Sequence, residues 1–328
     1  MDIKTNFMGH VINSPLIVGS CVLTSNISTL IDIEKAGAGA VILKSLFEEQ
    51  ITQEMNVNIK VNSDNFRGYP EAYNYIQEHI RDRAIDNYIS LVKEAKQALT
   101  IPVIASINCI TVSEWLPFIK QIEMAGADGI ELNVFIFPSD INLSNDDIER
   151  LYNEIIQVAK RATSLPISLK ISPYFSNPTR FAQKVSWLGI SNLSIFNRFY
   201  QSDIDIDNFT TKPVNITSSH DEIYNTIRWT AVISPQIRCT LTAGNGVHRE
   251  DDVIKLLLAG ASTVQVVSVL YKEGLEFITK ANERLKKWME EKEYSSIKDF
   301  KGKLAIKNNK EASAFYRINF MKYYSGIK

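Results

Sequence analysis

Two lysines stand at or near the ends of apolar runs, in Leu43-Lys44-Ser45 and in Leu169-Lys170-Ile171. Asparagines close three other runs: Ser106-Ile107-Asn108, Glu131-Leu132-Asn133 and Phe196-Asn197. A lysine inside an apolar strand is costly unless an anionic partner meets it. Asparagine offers both a donor and an acceptor, so several aimed at one place suit a flat ring edged with C=O and N–H groups. A further run, Thr242-Ala243-Gly244-Asn245-Gly246-Val247, and the pair Val267-Ser268 supply the glycines and backbone amides that cradle phosphate. Together these residues describe a site for a phosphorylated, amide-bearing planar heterocycle.

One local theme explains how they are positioned. A helix end, a glycine and an apolar or β-branched run recur as Lys35-Ala36-Gly37-Ala38-Gly39-Ala40-Val41-Ile42, Met124-Ala125-Gly126-Ala127-Asp128-Gly129-Ile130, Leu188-Gly189-Ile190-Ser191-Asn192-Leu193, and Leu258-Ala259-Gly260-Ala261-Ser262-Thr263-Val264. The glycine takes the left-handed turn that stops a helix, and the run that follows suits a strand buried on both faces. Strands beginning at Pro15, Pro102, Pro166 and Cys239 complete a set of eight. Eight strands alternating with helices predict a (β/α)8 TIM barrel, over an open doubly wound sheet, because no Gly-x-Gly-x-x-Gly follows the first strand. Barrel chemistry lies at the carboxyl ends of the strands, where the lysines and asparagines fall. Residues 47–81 and 198–215 overrun a minimal barrel after a strand and are expected on the same rim. Residues 1–328 read as a single domain, with a core of about 13–292 and a C-terminal helical extension over 293–328.

Composition excludes several classes. The 328 residues are 45% hydrophobic and 22% charged, with a net charge of −1, so nothing draws the chain to nucleic acid or an anionic membrane. Three scattered cysteines and four scattered histidines form neither a disulfide framework nor a metal site. No leader pattern and no run of ~18 apolar residues appears, so a cytoplasmic protein is expected.

The motifs also resemble a known family. Ser14-Pro15-Leu16-Ile17-Val18-Gly19-Ser20, Leu43-Lys44-Ser45, Ala105-Ser106-Ile107-Asn108, Gly126-Ala127-Asp128-Gly129-Ile130-Glu131-Leu132-Asn133, Ser168-Leu169-Lys170 and Gly260-Ala261-Ser262-Thr263-Val264-Gln265-Val266, in this order, are similar to the soluble, FMN-dependent dihydroorotate dehydrogenases. That resemblance implies hydride transfer from dihydroorotate to FMN in pyrimidine biosynthesis. It implies that Gly19, Ser20, Lys44, Ser45, Asn108, Asn133 and Lys170 surround the flavin ring, and that Gly244, Asn245, Gly246, Val267 and Ser268 hold its phosphate. Lys44, Asn133, Asn197 and Arg198 are expected to face the substrate, a planar heterocycle. Soluble relatives are often dimers, so a homodimer is expected.

The resemblance breaks at the catalytic base. The family follows the strand-four asparagine with Asn-x-Ser-Cys-Pro-Asn or Asn-x-Ser-Ser-Pro-Asn, and the residue before proline is the base. Here the loop reads Asn133-Val134-Phe135-Ile136-Phe137-Pro138-Ser139-Asp140, one residue longer, with Ile136 or Phe137 at the base position. The chain therefore looks like a branch that keeps the flavin cradle and lacks the usual base, with dihydroorotate turnover slow or absent. Ser139, Asp140 and Cys109 are candidate substitutes. Two other readings stay open: a flavin-binding scaffold without turnover, and an aldolase-like barrel in which Lys170 forms a Schiff base.

Overall fold

The computed structural model describes residues 1–47, 70–108, 116–199, 201–307 and 309–325. Eight parallel strands form the expected barrel: β1 (Leu16–Val18), β2 (Ala40–Ile42), β3 (Val103–Asn108), β4 (Gly129–Asn133), β5 (Ile167–Ile171), β6 (Asn192–Ile195), β7 (Thr240–Ala243) and β8 (Thr263–Val266). Each pairs with its sequence neighbours, and β8 pairs with β1 (Val264 opposite Leu16), so the sheet closes on itself. The four glycines of the recurring theme, Gly37, Gly126, Gly189 and Gly260, all have φ between 85° and 114°, the left-handed conformation that ends a helix.

The helices α1 (Ile27–Lys35), α2 (Pro70–Ala98), α3 (Leu116–Met124), α4 (Asn145–Ala162), α5 (Pro178–Trp187), α6 (Glu222–Ile233), α7 (Glu250–Ala259) and α8 (Glu276–Glu291) follow the strands in turn. The main core lies between helices and barrel. In α4, for example, a capping box of Ser144 and Asp147 starts the helix, which buries Ile148, Tyr152, Ile155, Ile156 and Ala159. Each such aliphatic side chain contributes about 1.5–3 kcal/mol on burial.

A second, smaller core fills the barrel floor. An N-terminal hairpin (Thr5–Phe7 with His10–Ile12) turns at Met8 and Gly9, both at positive φ, as a two-residue hairpin turn requires. Its Phe7, Met8 and Ile12 pack against Ile17, Ala40, Ile42 and Ile104 from inside the barrel. His10 Nε2, 2.9 Å from the Asp128 carbonyl, and Thr5 Oγ1, donating to the Ser262 carbonyl, fasten it there.

Of the two long rim segments, 198–215 contains an antiparallel hairpin, Gln201–Asp205 with Thr210–Val214. Most of 47–81 lies outside the described residues. In the extension, Ile297 and Phe300 are buried, and the Phe300 ring meets Trp288 and Tyr294. A terminal helix, Asn309–Tyr324, then leaves Ile318, Phe320 and Met321 exposed. Among the described residues, no helix is long and apolar enough to cross a membrane.

Candidate active site at the barrel mouth

Alternation along the strands sends every second side chain inward, and the registers stack these into layers. Gly129 opposes Ile104 at the floor. Above it Glu131 lies between Ser106 and Ser168. Asn133 and Lys170 pair in the next layer, at the mouth. The interior therefore runs from apolar at the bottom to charged and amide-rich at the top.

Hydrogen bonds knit the mouth together. Ser20 Oγ lies 2.9 Å from Ser45 Oγ and accepts from the Ser45 amide at 2.7 Å. Ser45 Oγ in turn lies 2.7 Å from Ser106 Oγ and accepts from Asn133 Nδ2 at 3.3 Å. Ser20, Ser45 and Asn133, which arrive from three strands, are thus brought into one network. On the opposite wall Asn192 Nδ2 donates to Ser168 Oγ, and Asn192 Oδ1 accepts from Thr240 and Thr242.

Three amide atoms at this level are left without partners. Asn108 Oδ1, Asn133 Oδ1 and Gln265 Nε2 are buried and make no hydrogen bond among the described residues. Each unmet group costs about 1–3 kcal/mol, so together they ask for a ligand or ordered water offering both donors and acceptors. Gln265 is absent from the site residues expected from sequence. Its signal was the same as that of Lys170: one polar residue inside an apolar strand, Val264-Gln265-Val266. Gly19 is required beside it, because a Cβ at Gly19 would lie 2.0 Å from Gln265 Nε2.

A cavity opens from here between the ends of β5, β6, β7 and β8. Lys170, Gly244, Asn245, Gly246, Val267 and Ser268 line it, with Gln265 and Ser218. Asn245 adopts φ 73°, tolerable for asparagine, and is anchored by Nδ2 donating to the Phe196 carbonyl. Gly246 has φ 76°, and an added Cβ would sit 2.1 Å from the Ile223 nitrogen and 2.6 Å from the Glu222 carbonyl carbon. Those are backbone atoms of α6 and cannot swing aside. Gly246→Ala is therefore expected to cost about 2–4 kcal/mol in urea unfolding; an unchanged midpoint would show that the turn relaxes freely. Next to the cavity Ser218 Oγ lies 2.9 Å from His248 Nε2, and Lys272 Nζ donates to the Ser218 carbonyl. Burial and the nearby Lys272 charge hold His248 below its ordinary pKa. Neither Ser218 nor His248 was expected from sequence.

The remaining expected residues are placed as follows. Lys44 lies two residues past the end of β2 at the mouth, half-buried. Asn197 is buried and donates from Nδ2 to the Val134 carbonyl. Arg198 is clamped by Glu222, with Nε 3.0 Å from Oε2 and Nη2 3.2 Å from Oε1, and Nη1 donates to the Ile216 carbonyl. Its charge is spent within the rim hairpin's base. Ser139 and Asp140 are exposed, and Asp140 Oδ1 accepts from the Asn142 amide and side chain. Cys109 lies outside the described residues.

The loop that follows Asn133 forms an aromatic collar. Phe135 stacks on Phe199 at 4.0 Å, Phe137 meets Tyr174 edge-on at 5.6 Å, and Tyr174 meets Phe199 at 5.0 Å. The loops after β4, β5 and β6 thus present a cluster of rings at the mouth. A larger groove of about 600 Å³, lined by Arg180, Arg228, Trp229 and Tyr316, shares no residue with this mouth.

Comparison with known proteins agrees with the geometry. The sequence profile described as "Dihydroorotate dehydrogenase" matches residues 2–289. The chain belongs to the dihydroorotate dehydrogenase family. Similar members of that family include the dihydroorotate dehydrogenase B (NAD(+)) catalytic subunit of Thermoplasma volcanium, 25% identical over 93% of this chain and 99% of the relative. The dihydroorotate dehydrogenase (fumarate) of Lachancea kluyveri is 26% identical over 92% of this chain and 98% of the relative. The relative from Pyrococcus furiosus, another type B catalytic subunit, is 25% identical over 92% and 98%. The chain thus keeps the family's barrel along its length, and its β4 loop carries Phe135, Ile136 and Phe137 ahead of Pro138.

Proposed function

We propose that this chain is an FMN-dependent oxidoreductase acting on a planar, largely uncharged heterocycle, with little capacity to oxidise dihydroorotate. The supporting observation is the convergence of Asn108 Oδ1, Asn133 Oδ1 and Gln265 Nε2, all unpartnered, beside Lys170 and a glycine-lined cavity. Donors and acceptors of that kind fit the pyrimidine edge of an isoalloxazine, and the turn at Gly244, Asn245 and Gly246 with Val267 and Ser268 fits its phosphate. Bound FMN supplies the two-electron acceptor that no side chain here provides.

The chain's own residues do the rest. Asn108, Asn133 and Gln265 fix the ring by its edge. Lys170 sets a positive charge where negative charge gathers on reduction. Ser20 and Ser45 hold Asn133 in place. Lys44, Asn133 and Asn197 face the substrate, and the collar of Phe135, Phe137, Phe199 and Tyr174 excludes water and favours an apolar ring. With Arg198 neutralised by Glu222, an acidic substrate gains little at the rim.

The test is spectroscopic. Purified protein is expected to be yellow, with one FMN per chain by absorbance after heat release, and to be bleached anaerobically by uncharged dihydropyrimidines faster than by dihydroorotate. Protein that is colourless and takes up no added FMN would end this reading.

A further inference from the structure

Glu131 is used by nothing described so far. Its side chain is fully buried, and among the described residues neither carboxylate oxygen has a hydrogen-bond partner. The flanking serines bond elsewhere: Ser106 Oγ pairs with Ser45 Oγ, and Ser168 Oγ accepts from Asn192. Beneath it the floor is apolar, with Met8 reaching the Gly129 layer. Above it stands Lys170, one layer up on the adjoining strand.

We propose that Glu131 is held as a neutral carboxylic acid beneath the ring site, as a positioning residue that leaves the whole charge of Lys170 to the bound cofactor. An ionised Glu131 would draw Lys170 downward and cancel its field at the mouth. A bare carboxylate with no donors around it is strongly disfavoured in a dry interior, whereas the acid form is not. Among the described residues, two charged or titratable groups reach it: Lys170 on β5, which favours ionisation, and Tyr88 on α2, which is coupled to it by charge and bonded through its hydroxyl to the Ser106 backbone. The floor cluster packed beneath it, Phe7, Met8, Ile12, Ile17, Ile42 and Ile104, is apolar, and His10 bonds to the Asp128 carbonyl at that end of the barrel. Lys44 follows β2, two strands away. Burial outweighs Lys170, so the Glu131 pKa is raised above the ordinary carboxyl value.

This inference rests on the flavin reading for its consequence but not for its first test. In the FMN-free protein, the infrared difference between wild type and Glu131→Gln at neutral pH should contain the C=O band of a protonated carboxyl, shifted in D2O. Should Glu131→Gln fail to fold, the same band in wild type should fade as pH is raised, and Glu131→Asp serves as a second variant. Absence of the band at neutral pH overturns the proposal. In the loaded protein, the FMN midpoint potential should be the same in wild type and Glu131→Gln at neutral pH. The two should part in alkali, wild type falling further as Glu131 ionises. A potential already higher in the glutamine variant at neutral pH would mean that the carboxylate is charged and the proposal wrong. Failure to bind FMN would defeat the flavin reading alone and leave the infrared result to decide Glu131.

Discussion

Lys170→Met is expected to slow substrate-driven bleaching of bound FMN by about 10²–10³, the range for losing one preorganised electrostatic partner of a developing negative charge. Methionine keeps the length and the apolar stem of lysine, so the β5 wall is preserved. With Glu131 neutral, loss of the lysine charge strands no buried anion beneath the mouth, and the variant should fold. Stopped-flow absorbance at saturating substrate reads the rate, and the FMN content of the purified variant separates loss of chemistry from loss of cofactor. A variant that binds FMN fully and bleaches within threefold of wild type would remove Lys170 from the reaction. The same variant decides against a Schiff base if borohydride with a carbonyl substrate labels neither protein.

Dihydroorotate itself is expected to bleach the flavin about 10²–10⁴ slower than it does in relatives with serine or cysteine before the loop proline, which is what a positioned general base contributes. Ile136 packs against the core, and Phe137, 58% exposed, lies in the aromatic collar. Neither accepts a proton. Asp140 accepts hydrogen bonds within its own turn, and Glu131 is sealed below the mouth. If no described residue takes the proton, the slow rate should climb with pH without the plateau that a titrating base imposes. Rapid bleaching with a clear plateau would show that another group has taken the role, and Ser139→Ala with Asp140→Asn would then be the variants to measure.

Much of this architecture is legible in the chain because its decisive features are local. A glycine forced left-handed at a helix end is a local demand, and four repeats of it mark four strands. Lys44, Asn108, Asn133 and Lys170 stand out because each breaks an apolar run. Gln265 and Glu131 break their runs in the same way, yet their importance depends on what fails to bond to them, which only three dimensions reveal. Arg198 shows the converse: its guanidinium appears available in sequence, while its partner Glu222 comes from a helix beyond the rim hairpin. The floor hairpin was hidden for another reason. Its strands are three residues each, and Met8 is an unusual occupant of a positive-φ turn, so neither alternation nor turn chemistry announces it.

That hairpin has a bearing on the opposite end of the molecule. Glu131 is sealed from the mouth above, and Phe7, Met8 and Ile12 close the barrel from underneath. Loosening the stopper would wet Glu131, let it shed its proton and quench the cation that greets the flavin. If Glu131 is the neutral acid proposed above, three greasy side chains at the far pole of the barrel help to keep it so.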